Sequence, residues 1–195
     1  MKKNYVLEAV IFVALILLLA LFNACGGQQS HQEESAVQQK DLPIDIPKLE
    51  KRYKIILCHK FDSTPEIKSE YSKEIGEMQN SMIESLKKKS EFERVDIFDS
   101  GQEIGNDTLI IKADVTYMRI VGFWKRGYVL WERSWIDVNL KFVDGKTKNL
   151  LRENKVTSAN NPIGAYFAWG NTDKSLPSDM GKILAEYIAL SMPQK

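Results

Sequence analysis

Two stretches of the 195-residue chain alternate apolar and polar residues with a period of two. In Thr108 to Val121, Leu109, Ile111, Ala113, Val115 and Tyr117 point one way and Lys112, Asp114 and Thr116 the other. In Leu130 to Val143, Ile136, Val138, Leu140 and Phe142 point inward against Asp137, Asn139 and Lys141. Successive strand side chains leave opposite faces, so this pattern fits strands of a sheet with one covered and one wet face. Asp144-Gly145 follows as a hairpin signal, and Leu150 to Thr157 reads as the return strand.

A half-apolar sheet needs a cover. Ile67, Tyr71, Ile75, Met78, Met82 and Leu86 recur at spacings of three and four, which predicts a helix from about Glu66 to Lys89 with Pro65 at its start. Met180, Ile183, Leu184, Tyr187 and Ile188 form a second stripe, on a helix from Ser178 to Ser191 that Pro177 and Ser178 open and Pro193 follows. Tyr53 to His59 (YKIILCH) is a short apolar, β-branched run suited to a buried strand. Phe92 to Phe98 reads as another, with Val95 and Ile97 on one face, and Asp99 to Asp107 as loop. The order is β-α-β-β-β-β-α. We expect an α+β two-layer sandwich, its mixed, mostly antiparallel sheet of about five strands covered on one face by both helices.

The chain before Tyr53 has a different character. Lys2 and Lys3 precede a run of about 14 apolar residues from Ala9 to Phe22, then Ala24 and Cys25. That is the charge, apolar core and small-residue boundary of a secretory signal. The run falls short of the roughly 20 residues that span a bilayer. Residues 26–52 are rich in Gln, Ser, Glu and Gly, then stiffened by Pro43 and Pro47, and read as a linker. His31 within it reads as a solvated residue. The expected organisation is a signal at 1–24, an anchor and flexible linker at 25–52, and one domain at 53–195.

Leu21-Phe22-Asn23-Ala24-Cys25-Gly26 resembles the processing box of bacterial lipoproteins. The resemblance implies cleavage before Cys25 and its lipidation, by palmitate or similar acyl chains, as the first mature residue. Each buried CH₂ adds about 0.8 kcal/mol, so several chains hold firmly where one holds weakly. Gly26 and Gly27 follow, and no Asp stands at the second mature position. By that resemblance the outer membrane, facing the periplasm, is favoured. Removing residues 1–24 takes Lys2, Lys3 and Glu8 from the 27 basic and 26 acidic residues, leaving 25 of each and a net charge of zero.

The soluble part, about residues 53–191, resembles a group of bacterial envelope lipoproteins that share the small α/β fold of the TolB amino-terminal domain and the curli-secretion lipoprotein. The resemblance rests on KIILCHKF, on SLKKKSEFERVDIF and above all on LKFVDGKTKNLL within WIDVNLKFVDGKTKNLLRE. It brings no catalytic motif. The group is often glycine-rich between the two central strands; here that segment is aromatic and basic, GFWKRGYVLWERSW.

That segment is the first candidate site. Phe123, Trp124, Lys125, Arg126 and Tyr128, flanked by Gly122 and Gly127, suggest a hairpin tip, with Trp131 and Trp135 beyond it. Trp, Tyr and Arg join large apolar area to a polar handle and are enriched at binding hot spots. The same mixture suits headgroup level at a membrane. The alternative is that Trp131 and Trp135 cap the edge of the core. Asn161 to Asn171 (NPIGAYFAWGN), with Tyr166, Phe167 and Trp169, is the second candidate, either folded over the core or touching a partner. Lys87, Lys88 and Lys89 read either as a helix-end cluster or as a contact with anionic lipid.

Enzyme chemistry finds little footing. Cys58 and His59 adjoin, but strand neighbours face opposite ways, so Cys58 reads as a buried structural residue. Asp96, Asp99, Glu103 and Asp107 lack the spacing of an EF-hand loop. No phosphate loop or nucleophile elbow appears. With 2 Cys, 2 His and a net charge of +1, neither a zinc site nor nucleic-acid binding is expected. We expect no cofactor, no metal and no catalytic residue. The reading is a non-enzymatic binding or assembly module, tethered to a membrane through Cys25, that engages an envelope protein or a second copy of itself. An accessory lipoprotein of a transport complex, holding lipid or docking on a transporter, is the alternative, and a hydrolase the remote one.

Overall fold

The computed structural model describes residues 46–101, 104–121, 132–160 and 171–193. All lie within the compact unit Val37–Lys195. In chain order the elements are β1 (Ile55–Cys58), β2 (Asp62–Ser63), α1 (Pro65–Lys87), β3 (Arg94–Ile97), β4 (Thr108–Arg119), β5 (Trp135–Asp144), β6 (Leu150–Ala159) and α2 (Asn171–Leu190). The strands form one sheet in the order β3-β1-β4-β5-β6, with the two-residue β2 also beside β4. Pairings of β1 with β3 and β4, and of β2 with β4, are parallel. The longer ladders, β4–β5 and β5–β6, are antiparallel. This is the expected α+β sandwich with one short strand added.

Both helices cover the same sheet face. Ile56, Cys58, Leu109, Ile111, Val115, Val138, Leu140 and Phe142 share one core with Met78, Met82 and Leu86 of α1 and Met180, Leu184 and Ile188 of α2. Thr64 caps α1 by accepting from the Ile67 amide at 3.5 Å, and Pro65 stands at its first position. The helix ends at Lys87, two residues before the expected end.

The structure corrects or refines several expectations. The inward row of β4 breaks at a bulge. Val115 pairs with Val138, but Tyr117 pairs with Asp137 and Met118 with Ile136, so Thr116 is the extra residue. One inserted residue reverses the faces beyond it, which turns Tyr117 outward and buries Met118. Ile97 shares the helix-side face with Val95 and Cys58, yet it ends the edge strand and stays exposed. Helix α2 begins at Asn171, so Pro177 lies inside it rather than at its start. The wet face is not uniform either. Leu57, Ile110 and Thr108 are buried on it, under the end where Ile104 and the β5–β6 turn close in.

Residues 46–52, which composition assigns to the linker, include part of the core. Ile46 and Leu49 are buried in it. The Leu49 amide donates to the Ser191 carbonyl at 2.7 Å, and the Arg152 guanidinium donates to the carbonyls of Pro47 and Lys48 at 2.5 and 2.9 Å.

The Asp144-Gly145 hairpin forms by a different device from a two-residue turn. The Asp144 amide donates to the Asn149 carbonyl at 2.9 Å, and Lys148, at φ 60°, takes the left-handed position. Gly145 is needed for closeness: a Cβ there would stand 2.6 Å from the Thr108 carbonyl oxygen. The Asp144 carboxylate accepts from the Thr147 amide at 2.7 Å and from the Tyr53 hydroxyl at 2.8 Å. The Thr147 amide first, then the Tyr53 hydroxyl, hold its pKa down at about 2. Burial first, then Asp144, raises that of Tyr53.

The helices meet at Gly181. A Cβ there would lie far inside van der Waals contact of the Met78 carbonyl oxygen and 2.8 Å from the Ser81 Cβ. Beside it the Ser81 hydroxyl donates to the Ser178 carbonyl at 2.7 Å. Gly181→Ala is therefore expected to destabilise the full chain by about 2 kcal/mol, read as a lower urea midpoint in detergent. Gly76→Ala, on the same helix pair with nothing within 4 Å, is expected to stabilise by about 0.5–1 kcal/mol. A depressed native carboxylate stabilises above its unfolded pKa and loses that contribution as pH falls to its folded one. Stability should thus drop between about pH 4 and about pH 2 through Asp144. In Asp144→Asn that part of the drop should be missing from urea melts taken across the range.

Candidate binding face

The wet face of β4, β5 and β6 carries cross-strand charges. Lys141 sits between Asp114 at 2.8 Å and Glu153 at 3.6 Å. Asp137 meets Lys155 at 2.6 Å, accepts from the Thr157 hydroxyl at 2.8 Å and from the Trp135 indole nitrogen at 2.7 Å. Burial alone would raise the Asp137 carboxyl; the donors Lys155, Thr157 and Trp135 outweigh it and keep its pKa below the usual value. Opposite charges facing across a sheet fix register more than they add stability.

At one end of this face charge gives way to aromatic surface. Tyr117 is 45% exposed and Trp135 37% exposed. Arg119, which pairs with Trp135 in register, meets Glu132 at 2.6 Å. Trp135 is therefore an outer-face residue and does not cap the core.

A buried polar clasp lies at the same end. Ser134 and Asp173 are buried. The Ser134 hydroxyl accepts from the Val121 amide at 2.8 Å and donates to the Asp173 carboxylate. Asn160 donates its side-chain amide to Asp173 and accepts from the Ser134 amide at 3.0 Å. The Asn160 backbone amide closes onto the Ser134 carbonyl at 3.2 Å. One network therefore ties the end of β4, the start of β5, the end of β6 and the first turn of α2. Segments 122–131 and 161–170 both leave the described structure from this clasp.

Those segments hold the aromatic candidates. Phe123, Trp124, Lys125, Arg126, Tyr128, Trp131, Tyr166, Phe167 and Trp169 lie outside the described residues, as do Cys25, His31 and Glu103. The residues that sequence reasoning missed are Tyr117, hidden by the bulge, and Ser134, Asn160 and Asp173, whose only signal is polarity at element ends.

The remaining candidates fall elsewhere. Cys58 is buried, and burial first, then the Asp96 charge, pushes its thiol up to about 12. His59 stacks on Phe98 with ring centroids 4.4 Å apart. Desolvation first, then Lys112 and Lys148, lowers its pKa. Asp96 pairs with Arg94 and Asp107 with Lys51. Among the described residues no group of three or more His, Cys, Asp or Glu could hold a metal ion. Lys89 of the basic triplet pairs with Glu186 on α2. Grooves of about 580 and 570 Å³ flank α1, lined largely by Ser, Asn, Glu and Lys; neither is an apolar cavity beneath the helices. No helix among the described residues is long and apolar enough to cross a membrane.

No family model matches the chain, and no curated protein matches it. Solved structures do. A DUF330-family protein from Xanthomonas campestris matches at 10% identity over 76% of this chain and 93% of its own, with TM-score 0.48. The PelC dodecamer from Paraburkholderia phytofirmans matches at 11% identity over 77% and 96%, with TM-score 0.45. TolB from Acinetobacter baumannii matches at 10% identity over 75% of this chain and 30% of its own, with TM-score 0.38. Proteins described as lipoproteins, from Caulobacter crescentus and Acinetobacter baumannii, are also matched. At identities this low and TM-scores below 0.5, these likenesses say nothing of what this chain binds.

Asp173→Ala removes the acceptor shared by Ser134 and Asn160 and leaves the buried Ser134 hydroxyl and the half-buried Asn160 amide underpaired. It is expected to cost about 2–3 kcal/mol in a urea melt of the full chain. Asp179→Ala, which breaks only the Asp179–Lys182 pair at 3.0 Å, should cost under about 1 kcal/mol.

Proposed function

We propose that the chain is a lipid-anchored lipoprotein of the bacterial envelope whose domain is a non-enzymatic binding module. The observation that carries the reading is Leu21-Phe22-Asn23-Ala24-Cys25-Gly26 at the end of a 14-residue apolar run, Ala9 to Phe22, with Lys2 and Lys3 before it. Acyl chains on Cys25 hold the protein at a membrane, in the periplasmic leaflet of the outer membrane by the absence of Asp after Cys25. Residues 26–45 give the domain reach. The domain is 53–195 together with the docked residues 46–52.

Partner contact is assigned to the clasp end, through Phe123, Trp124, Lys125, Arg126 and Tyr128 and through Tyr166, Phe167 and Trp169. Three features support this. Both segments start from one hydrogen-bonded network. Neither segment contains an acidic residue. Tyr117 and Trp135 are exposed on the sheet at the same end. The occupant is an envelope protein, met through aromatic and cationic anchors.

The anchor is tested by the intact mass of the protein purified from membranes. A mature chain beginning at Cys25 with added acyl mass is expected, and Cys25→Ser should lose that mass and leave the membrane fraction. An unmodified sulfur or a retained leader overturns the reading. For the site, Trp124→Ala with Arg126→Ala should abolish in-cell crosslinks to the partner while the urea midpoint stays within about 0.5 kcal/mol of wild type. Unchanged crosslinks overturn the assignment.

A further inference from the structure

Strand β6 ends the sheet, and among the described residues nothing pairs with its outer edge. Its charges are opposite in sign about Asn154, with Glu153 on one side and Lys155 on the other. We infer that β6 is a homodimer edge: two copies of this chain pair antiparallel along β6, with the two-fold axis at Asn154. This surface is distinct from the clasp end and needs neither Cys25 nor the aromatic segments.

The backbone decides which residues can make the bonds. Asn160 donates to the Ser134 carbonyl, which sets the alternation of the β5–β6 ladder. In an antiparallel ladder, residues that exchange bonds alternate with residues that do not. Counting back through Ser158, Val156, Asn154 and Arg152, these turn their amides and carbonyls toward β5. Glu153, Lys155 and Thr157 therefore turn theirs to the open edge; Leu151 is the extra residue of a bulge, between Arg152 opposite Phe142 and Leu150 opposite Val143. A second β6 can bond only by matching outward residues with outward residues.

Three central registers satisfy that condition. Two place Glu153 opposite Glu153 of the second copy, or Lys155 opposite Lys155, and like charges directly opposite repel. The third places Glu153 opposite Lys155 and Lys155 opposite Glu153. Both charges stand on the wet face and are substantially exposed. Each also has a partner within its own chain, so pairing extends the Asp114–Lys141–Glu153 and Asp137–Lys155 rows into one ladder across the dyad. A strand edge is ordinarily a hazard for uncontrolled pairing, and charges that admit one register limit it to a closed pair. Exposed Leu150 and Leu151 lie where the paired stretch ends and lose water on association.

The test uses the full chain. Asn154 side chains meet at the axis in a non-hydrogen-bonded pair, where Cα atoms approach to about 4.5 Å. Asn154→Cys is expected to form an intermolecular disulfide under mild oxidation in intact cells, giving a dimer band on a non-reducing gel. Lys141→Cys, on the inner strand β5, should give none. In sedimentation of the detergent-solubilised protein, Glu153→Lys or Lys155→Glu alone should weaken the dimer about tenfold or more. The double exchange Glu153→Lys with Lys155→Glu should restore it to within about threefold. A monomer at every concentration overturns the inference. So does the absence of a crosslink at position 154, or a dimer indifferent to the single exchanges. Loss of acylation in Cys25→Ser bears only on the anchor, so the two readings fail separately.

Discussion

The two-layer arrangement depends on how closely α1 and α2 approach. A single sheet face has to be covered by two helices lying side by side, and their separation is set where Gly181 meets the Met78 carbonyl. Helix axes usually pack at about 8–10 Å, the distance depending on the side chains between them. With no side chain at Gly181, and with Ser81 and Ser178 beside it, the helices close enough for Met78, Met82, Met180 and Leu184 to reach the same strands. A bulkier residue would push the two helices apart and loosen the cover over a core that is close-packed. Close packing of the cover is therefore a condition for the sheet to be half wet at all.

Much of this was legible from periodicity. The alternation in β5, that in β4 as far as Val115, and the stripe in α1 follow from where Cβ atoms must point, and tertiary context left them intact. What failed did so where one local event changes phase or precedence. The bulge at Thr116 is invisible to a pattern of apolar residues, because Tyr117 and Met118 are both large enough for a core and only the register distinguishes them. Pro177 reads as a helix start, but Asp173, held by Ser134 and Asn160, fixes an earlier one. Ile46 and Leu49 sit in polar sequence whose average composition hides two apolar anchors. Asp144-Gly145 marked the turn correctly for a reason other than the expected one, since its glycine answers a close approach and the left-handed residue is Lys148.

The candidate site was legible in composition and illegible in place. Aromatic and basic residues between the central strands stand out in one dimension, but nothing in the sequence brings residues 122–131 and 161–170 together. The clasp of Ser134, Asn160 and Asp173 joins only the ends from which the two segments leave, Val121 and Asn160, through three residues that are individually unremarkable. Polar side chains that close the ends of strands onto a helix start are recognised only once their partners are known. A buried network of this kind also holds its surroundings more rigidly than apolar contact would, because each donor has a single acceptable direction.

The parallel half of the sheet sets the order in which the chain can fold. Ile56 lies between Val95 on one side and Leu109 on the other. Its strand is the first made and stands between two partners that come later, one after the whole of α1 and the other beyond a further loop. A chain delivered amino end first, whether from a ribosome or through a translocation channel, presents IILC as an orphan strand until most of the domain has followed. Such long-range parallel pairing is slow to nucleate and leaves apolar backbone exposed in the meantime. The antiparallel half can zip locally through its turn. The architecture thus has a fast-forming carboxy-terminal meander and a first strand that must wait for it.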